Sequence, residues 1–180
     1  MARSTRRKFY KRKSGRWAPN ITKIRDSIVA NNTQGDFSGN AVLCQNPTQN
    51  NARVSQAYTV KNFEITFTIE GETASALYGL EGITAYIMYV PQSMNVTSSY
   101  YEQHPEYILN YKYLGSPTTL SQTSGTGETQ TFQPVRMKTR LARKLQTGDA
   151  IILYIHGTNT TNASQTLLVD GIVRWWTKAN

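Results

Sequence analysis

The chain has 180 residues, a formal net charge of +9 and one cysteine. That length suits one domain with a tail, and no apolar run approaches the roughly 18–20 residues of a membrane-spanning helix. A lone cysteine, Cys44, excludes an internal disulfide and a two-cysteine metal site. Charge is unevenly placed: residues 1–25 hold ten of the 20 basic residues and no acid, leaving ten basic and 11 acidic residues over 26–180.

The first element is therefore a basic arm, 1–25, ahead of a near-neutral body, 26–180. Its cations are Arg3, Arg6, Arg7, Lys8, Lys11, Arg12, Lys13, Arg16, Lys23 and Arg25. So many like charges with almost nothing apolar to bury predict a segment that is disordered by itself. Lys and Arg neutralise phosphates whatever the base sequence. Phe9, Tyr10 and Trp17 are interleaved with them, and exposed rings stack on unpaired bases at about 1–3 kcal/mol per base. Charge with rings favours a single strand over a duplex. Arg6, Arg7, Lys8, Lys11, Arg12 and Lys13 also fit a nuclear-import signal.

Past the arm, β-branched and aromatic residues alternate and helical periodicity is nearly absent. Asp36 to Cys44 reads as a weak first strand, with Cys44 a small buried hydrophobe. In Tyr58 to Glu70, Phe63, Ile65, Phe67 and Ile69 fall on one face, as in a half-buried strand. Ile83 to Val90 is a strand stopped by Pro91, and Glu106 to Leu114 is another, closed by Gly115. Between them, Glu102-x-His104-x-Glu106 has metal-ligand residue types, but Pro105 interrupts the run, and no metal site is assigned.

Further along, Gly125-Thr126-Gly127-Glu128 lacks the Gly-Lys-Ser/Thr ending of a phosphate loop and reads as a turn. Val135 to Leu141 reads as a strand with Arg136, Lys138 and Arg140 on one face. That face either extends the nucleic-acid surface of the arm or is an ordinary solvated face. Ala150 to His156 and Leu167 to Trp176 are apolar enough to be covered on both faces, by a sandwich core or by a neighbouring subunit. His156 is expected at a strand edge, and Gly171 marks a candidate bulge.

Seven or eight strands joined by long polar loops predict an all-β fold, a single antiparallel sandwich or jelly roll. With two histidines and one cysteine, no nucleophile–histidine–acid set can be drawn. The expectation is a binding or structural protein with no catalytic residues and no cofactor.

The layout resembles the capsid proteins of circovirus-like small circular single-stranded DNA viruses. The segments that carry it are the arm, Val60 to Ile69, Ile83 to Pro91, Glu106 to Tyr113, Arg140 to Asp149, and Gly171 to Thr177. The resemblance implies an eight-stranded jelly roll whose copies, about 60, close into a small icosahedral shell around the genome. It further implies single-stranded DNA as partner, host import machinery, assembly in the nucleus, a virion location and loops that meet a host receptor. Satellite-virus coat proteins, which package single-stranded RNA on a similar plan, and a cellular β-sandwich nucleic-acid-binding module are the alternatives.

Overall fold

The computed structural model describes residues 16–31, 33–46, 57–71, 79–116, 118–120, 129–131 and 134–179. Its strands in chain order are β1 (Ala18–Ala30), β2 (Gly35–Gln45), β3 (Tyr58–Gly71), β4 (Leu80–Val90), β5 (Ile108–Gly115), β6 (Thr118–Leu120), β7 (Thr129–Thr131), β8 (Val135–Thr139), β9 (Arg143–Leu145), β10 (Ala150–Asn159) and β11 (Gln165–Ala179). A short helix, α1 (Tyr100–Gln103), and a 3-10 turn (Pro105–Tyr107) lie between β4 and β5.

Two antiparallel sheets form. The first runs β1-β11-β3, with β8, β9 and the β6–β7 hairpin along the far side of β3; the second runs β2-β10-β4-β5. If β8 and β9 are taken as one interrupted strand and the β6–β7 hairpin as an insertion, eight strands remain. Their order, first-last-third-sixth facing second-seventh-fourth-fifth, is that of a jelly roll. The expected eight-stranded all-β fold is therefore present.

Alternation makes the core. Phe63, Ile65, Phe67 and Ile69 of β3 are buried on one face, as the sequence predicts, against Ile83, Ile87, Leu153 and Val173. Each fully buried side chain of this size contributes about 1.5–3 kcal/mol relative to exposure. Val60 is also buried despite the opposite parity, because the β3–β11 register shifts between Arg174 and Trp176. Asn62, the one non-glycine described residue with positive φ, at 54°, sits on β3 at that irregularity.

β10 is buried along its length. Ile151, Leu153 and Ile155 face the main core, while Ile152 and Tyr154 enter a second cluster with Met88, Val90 and Tyr100. The cover is the chain's own 91–107 segment: the Tyr154 hydroxyl reaches the carbonyls of Thr97 and Ser98 (3.0 and 2.7 Å), and the Tyr100 hydroxyl donates to the Tyr89 carbonyl (3.2 Å). Two-faced cover holds for β10 but not for β11, where Ile172 is 47% exposed.

Several expectations are corrected. The first strand is Ala18–Ala30, not Asp36 to Cys44, and it pairs along β11 from Ala18↔Thr177 to Ala30↔Gln165. Its signal is weak because it is an edge strand: only Ile24, Ile28 and Ala30 are buried, and charges occupy the open face. Lys23 and Arg25, assigned to the arm, therefore belong to the sheet. His156 is not at an edge, since β10 lies between β2 and β4; its ring packs 4.9 Å from that of Tyr101. Gly171 is not at the register shift; it is a close approach, where an added Cβ would come within 2.5 Å of the Thr66 carbonyl oxygen.

Candidate nucleic-acid interface

Arg3, Arg6, Arg7, Lys8, Phe9, Tyr10, Lys11, Arg12 and Lys13, which include the whole import-signal set, lie outside the described residues. The same holds for Gly125 to Glu128. The described end of the arm is Arg16, which is exposed, and Trp17. The Lys61 Nζ stands 3.9 Å from the centroid of the Trp17 ring. The arm thus joins the body on the outer face of the β1-β11-β3 sheet.

Register sets what that face presents. Lys23 of β1 lies opposite Ile172 of β11, Ile172 opposite Thr66 of β3, and Thr66 opposite Arg136 of β8. In the next row Ile21 opposes Arg174, Arg174 opposes Glu64, and Glu64 opposes Lys138. Then come Pro19, Trp176 and Lys61, and beyond them Thr59 pairs with Lys178 and Lys144. Seven of the ten basic residues of the 26–180 body share this side: Lys61, Arg136, Lys138, Arg140, Lys144, Arg174 and Lys178.

β8 ends at Thr139, short of the expected Leu141, so Arg136 and Lys138 share a strand face while Arg140 follows the strand, and the three are not uniformly available. Arg136 Nε donates to Glu64 Oε1 (3.0 Å), its Nη2 pairs with the same oxygen, and Lys138 Nζ stands 3.2 Å away. Arg136 first, then Lys138, holds the Glu64 carboxyl below the usual carboxylate range. One carboxylate thus offsets one of these two cations. Arg140 instead lines a groove of about 220 Å³ with Asn62, Phe63, Glu64, Lys138, Thr139 and Trp176.

Sequence reasoning missed Lys61, Lys144, Arg174, Trp176 and Lys178. A signal was present: Arg174, Trp176 and Lys178 alternate with Trp175, whose ring stacks inward on Phe63 with centroids 6.1 Å apart and planes at 7°. The Arg174 guanidinium lies 4.7 Å from the Trp176 ring centroid on the outer side. Such cation–π pairs are worth about 0.5–1 kcal/mol at exposed sites.

The other side of the molecule is chemically different. Around α1 and the 3-10 turn, His104 stacks on Tyr107 (5.2 Å between centroids) and its Nδ1 lies 3.3 Å from Glu106 Oε1. Glu102 accepts from the Tyr101 hydroxyl at 2.9 Å. Among the described residues no group of three His, Cys, Asp or Glu side chains is placed to hold a metal ion. Cys44 is buried 3.8 Å from the Tyr58 hydroxyl, and desolvation pushes its thiol up to about 11.

The strand order and this charged face define a jelly roll with a basic arm rooted on one sheet. Solved structures similar to it are viral capsid proteins. One is the 60-mer capsid protein of beak and feather disease virus, a circovirus, at 7% identity and TM-score 0.41, covering 93% of this chain and 95% of that chain. A second is the VP2 subviral particle of infectious bursal disease virus, at 11% identity and TM-score 0.35, covering 91% of this chain and 33% of that one. A third is Desmodium yellow mottle tymovirus, at 15% identity and TM-score 0.31, covering 88% of each. No protein-family model and no curated protein matches the chain.

Proposed function

We propose that this chain is a non-enzymatic viral coat protein that assembles into a small icosahedral shell and packages a single-stranded circular DNA genome through residues 1–25. The observation that carries the reading is the placement of the arm's root. Trp17 packs on Lys61, on the sheet face where most of the body's cations also lie. A basic arm whose root lies beside a basic face supports a polyanion surface shared by the two.

The charge division supports assembly as well. A near-neutral body limits like-charge repulsion across many subunit contacts. A closed shell of about 60 symmetric copies gathers about 600 arm charges on one side of the wall. The basic face turns inward in such a shell, and the opposite side, with Glu81, Glu102 and Glu106, turns outward to meet a host receptor. The import-type cluster in the arm carries the protein to the nucleus, where assembly takes place.

Salt titration of single-strand binding by the full chain tests the arm's role. If all ten arm charges engage, log K falls with log[salt] at a slope of about −7. A slope near zero would remove the arm from the account. Digestion of packaged contents with DNase or RNase then decides between DNA and the satellite-type RNA alternative.

A further inference from the structure

We propose that the groove walled by Trp176, Asn62 and Arg140 is a base-stacking site that takes one unpaired nucleobase, with its backbone phosphates on Arg140 and Arg174. The inference rests on the nucleic-acid reading above and adds a binding site outside the arm.

Four observations carry it. First, the groove, at about 220 Å³, is smaller than the roughly 300–1,000 Å³ of sites for drug-sized ligands, and it is walled by an indole. Size and lining together suit a small planar group. Second, Trp176 is the outward member of the Trp175–Trp176 pair. Trp175 stacks on Phe63 against the core, while the half-buried Trp176 ring lies on the outer face, outside the core cluster, with Arg174 over one side. Stacking on a fixed ring is sequence-tolerant because every base has a π-face.

Third, the polar surroundings suit a nucleotide. Arg140 and Lys138 share the groove, and Arg174 lies against the same indole at 4.7 Å. Glu64 also lines the groove, but its carboxylate is already shared by Arg136 and Lys138. Arg140 and Arg174, neither of them a partner in that ion-pair set, are the cations left for the phosphates. Asn62, held in a left-handed conformation where β3 and β11 shift register, brings an amide that both donates and accepts to the groove wall. Fourth, Trp17 lies on Lys61, and Lys61 is the strand partner of Trp176. The described root of the arm thus lies beside the strand position of the groove's indole.

The test uses nucleic-acid-free full-length protein and two fluorescent twelve-nucleotide ligands, oligo-thymidine and an abasic backbone of equal length. Anisotropy titrations across salt give two readouts: the preference for bases over bare backbone, and the salt slope. Trp176→Ala should cut the base preference by about fivefold or more with the slope unchanged, since stacking on one base corresponds to about fivefold to 150-fold in affinity. Trp176→Phe should keep most of the preference, which separates loss of a ring from loss of fold. Arg140→Ala should weaken both ligands alike.

An unchanged base preference in Trp176→Ala, with the slope intact, overturns the groove and leaves the arm's role standing. A flat salt response in which the preference still falls with Trp176→Ala supports the groove and removes the arm.

Discussion

The Tyr89 hydroxyl donates to Asp149 Oδ2 at 2.7 Å, tying the end of β4 to the turn that leads into β10. Asp149 is 4% exposed and also accepts from the backbone N–H groups of Gln92 (3.1 Å) and Gln146 (2.8 Å). One carboxylate therefore fixes the start of the 91–107 segment that covers the outer side of β10. Asp149→Ala strands these part-buried donors, whose loss falls at the low end of the about 1–3 kcal/mol that a fully buried donor without a partner costs. A loss of about 3 kcal/mol in unfolding free energy is expected by denaturant titration, against about 1 kcal/mol for Tyr89→Phe.

Two truncations should behave differently. Removing residues 1–15 leaves β1 whole and is expected to leave the thermal midpoint nearly unchanged. Removing 1–25 takes more than half of β1, including buried Ile24 and the pairing of Ala18 to Arg25 with β11. That variant should melt several degrees lower, and thermal unfolding of the pair measures the difference.

Gly171→Ala tests the close approach beneath β11. The added methyl would meet the Thr66 carbonyl oxygen at 2.5 Å and the Phe67 Cα at 2.8 Å, both backbone atoms that cannot swing aside. Overpacking of this kind costs about 1–3 kcal/mol, readable as a lower denaturation midpoint with unchanged slope.

Cys44 gives a pH signature. Burial raises its thiol to about 11, while the Tyr58 hydrogen bond acts weakly the other way. The folded chain keeps the thiol protonated at pH 8, where an unfolded one is partly thiolate. A folded pKa above the unfolded one stabilises below about pH 8.5, and that contribution is lost as pH rises toward 11. Reaction with a disulfide reagent at pH 8 should be slow in the native state and fast in denaturant.

Glu64→Gln removes the carboxylate shared by Arg136 and Lys138. Affinity for single strands should rise, and the salt slope should steepen by up to about 0.7, one further phosphate contact. The Glu64 carboxyl titrates below its ordinary range in the folded state. The native ion pairs therefore contribute above the unfolded carboxylate pKa and are lost as pH falls through the lower folded one. Any stability difference between the two proteins should be present at pH 7 and vanish in acid.

Legibility in the sequence follows burial. β3 announces itself because Phe63, Ile65, Phe67 and Ile69 alternate against polar neighbours, and β10 because both its faces are apolar. β1 is hidden, since an edge strand with three buried side chains leaves a faint pattern, and its Lys23 and Arg25 read as arm. Arg136 and Lys138 are read correctly onto one strand face, with Arg140 just past its end, yet the Glu64 that pairs with the first two is 72 positions from Arg136 and no local signal joins them. Lys61 and Trp176 meet only through the β3–β11 register, a relationship that exists in the folded sheet alone.

The most direct measurement is sedimentation and negative-stain imaging of the purified full chain with its 260/280 nm absorbance ratio. Uniform closed particles carrying nucleic-acid absorbance are the predicted result. A stable monomer across salt and pH, even with single strands added, would contradict the coat-protein account and favour a tethered binding module.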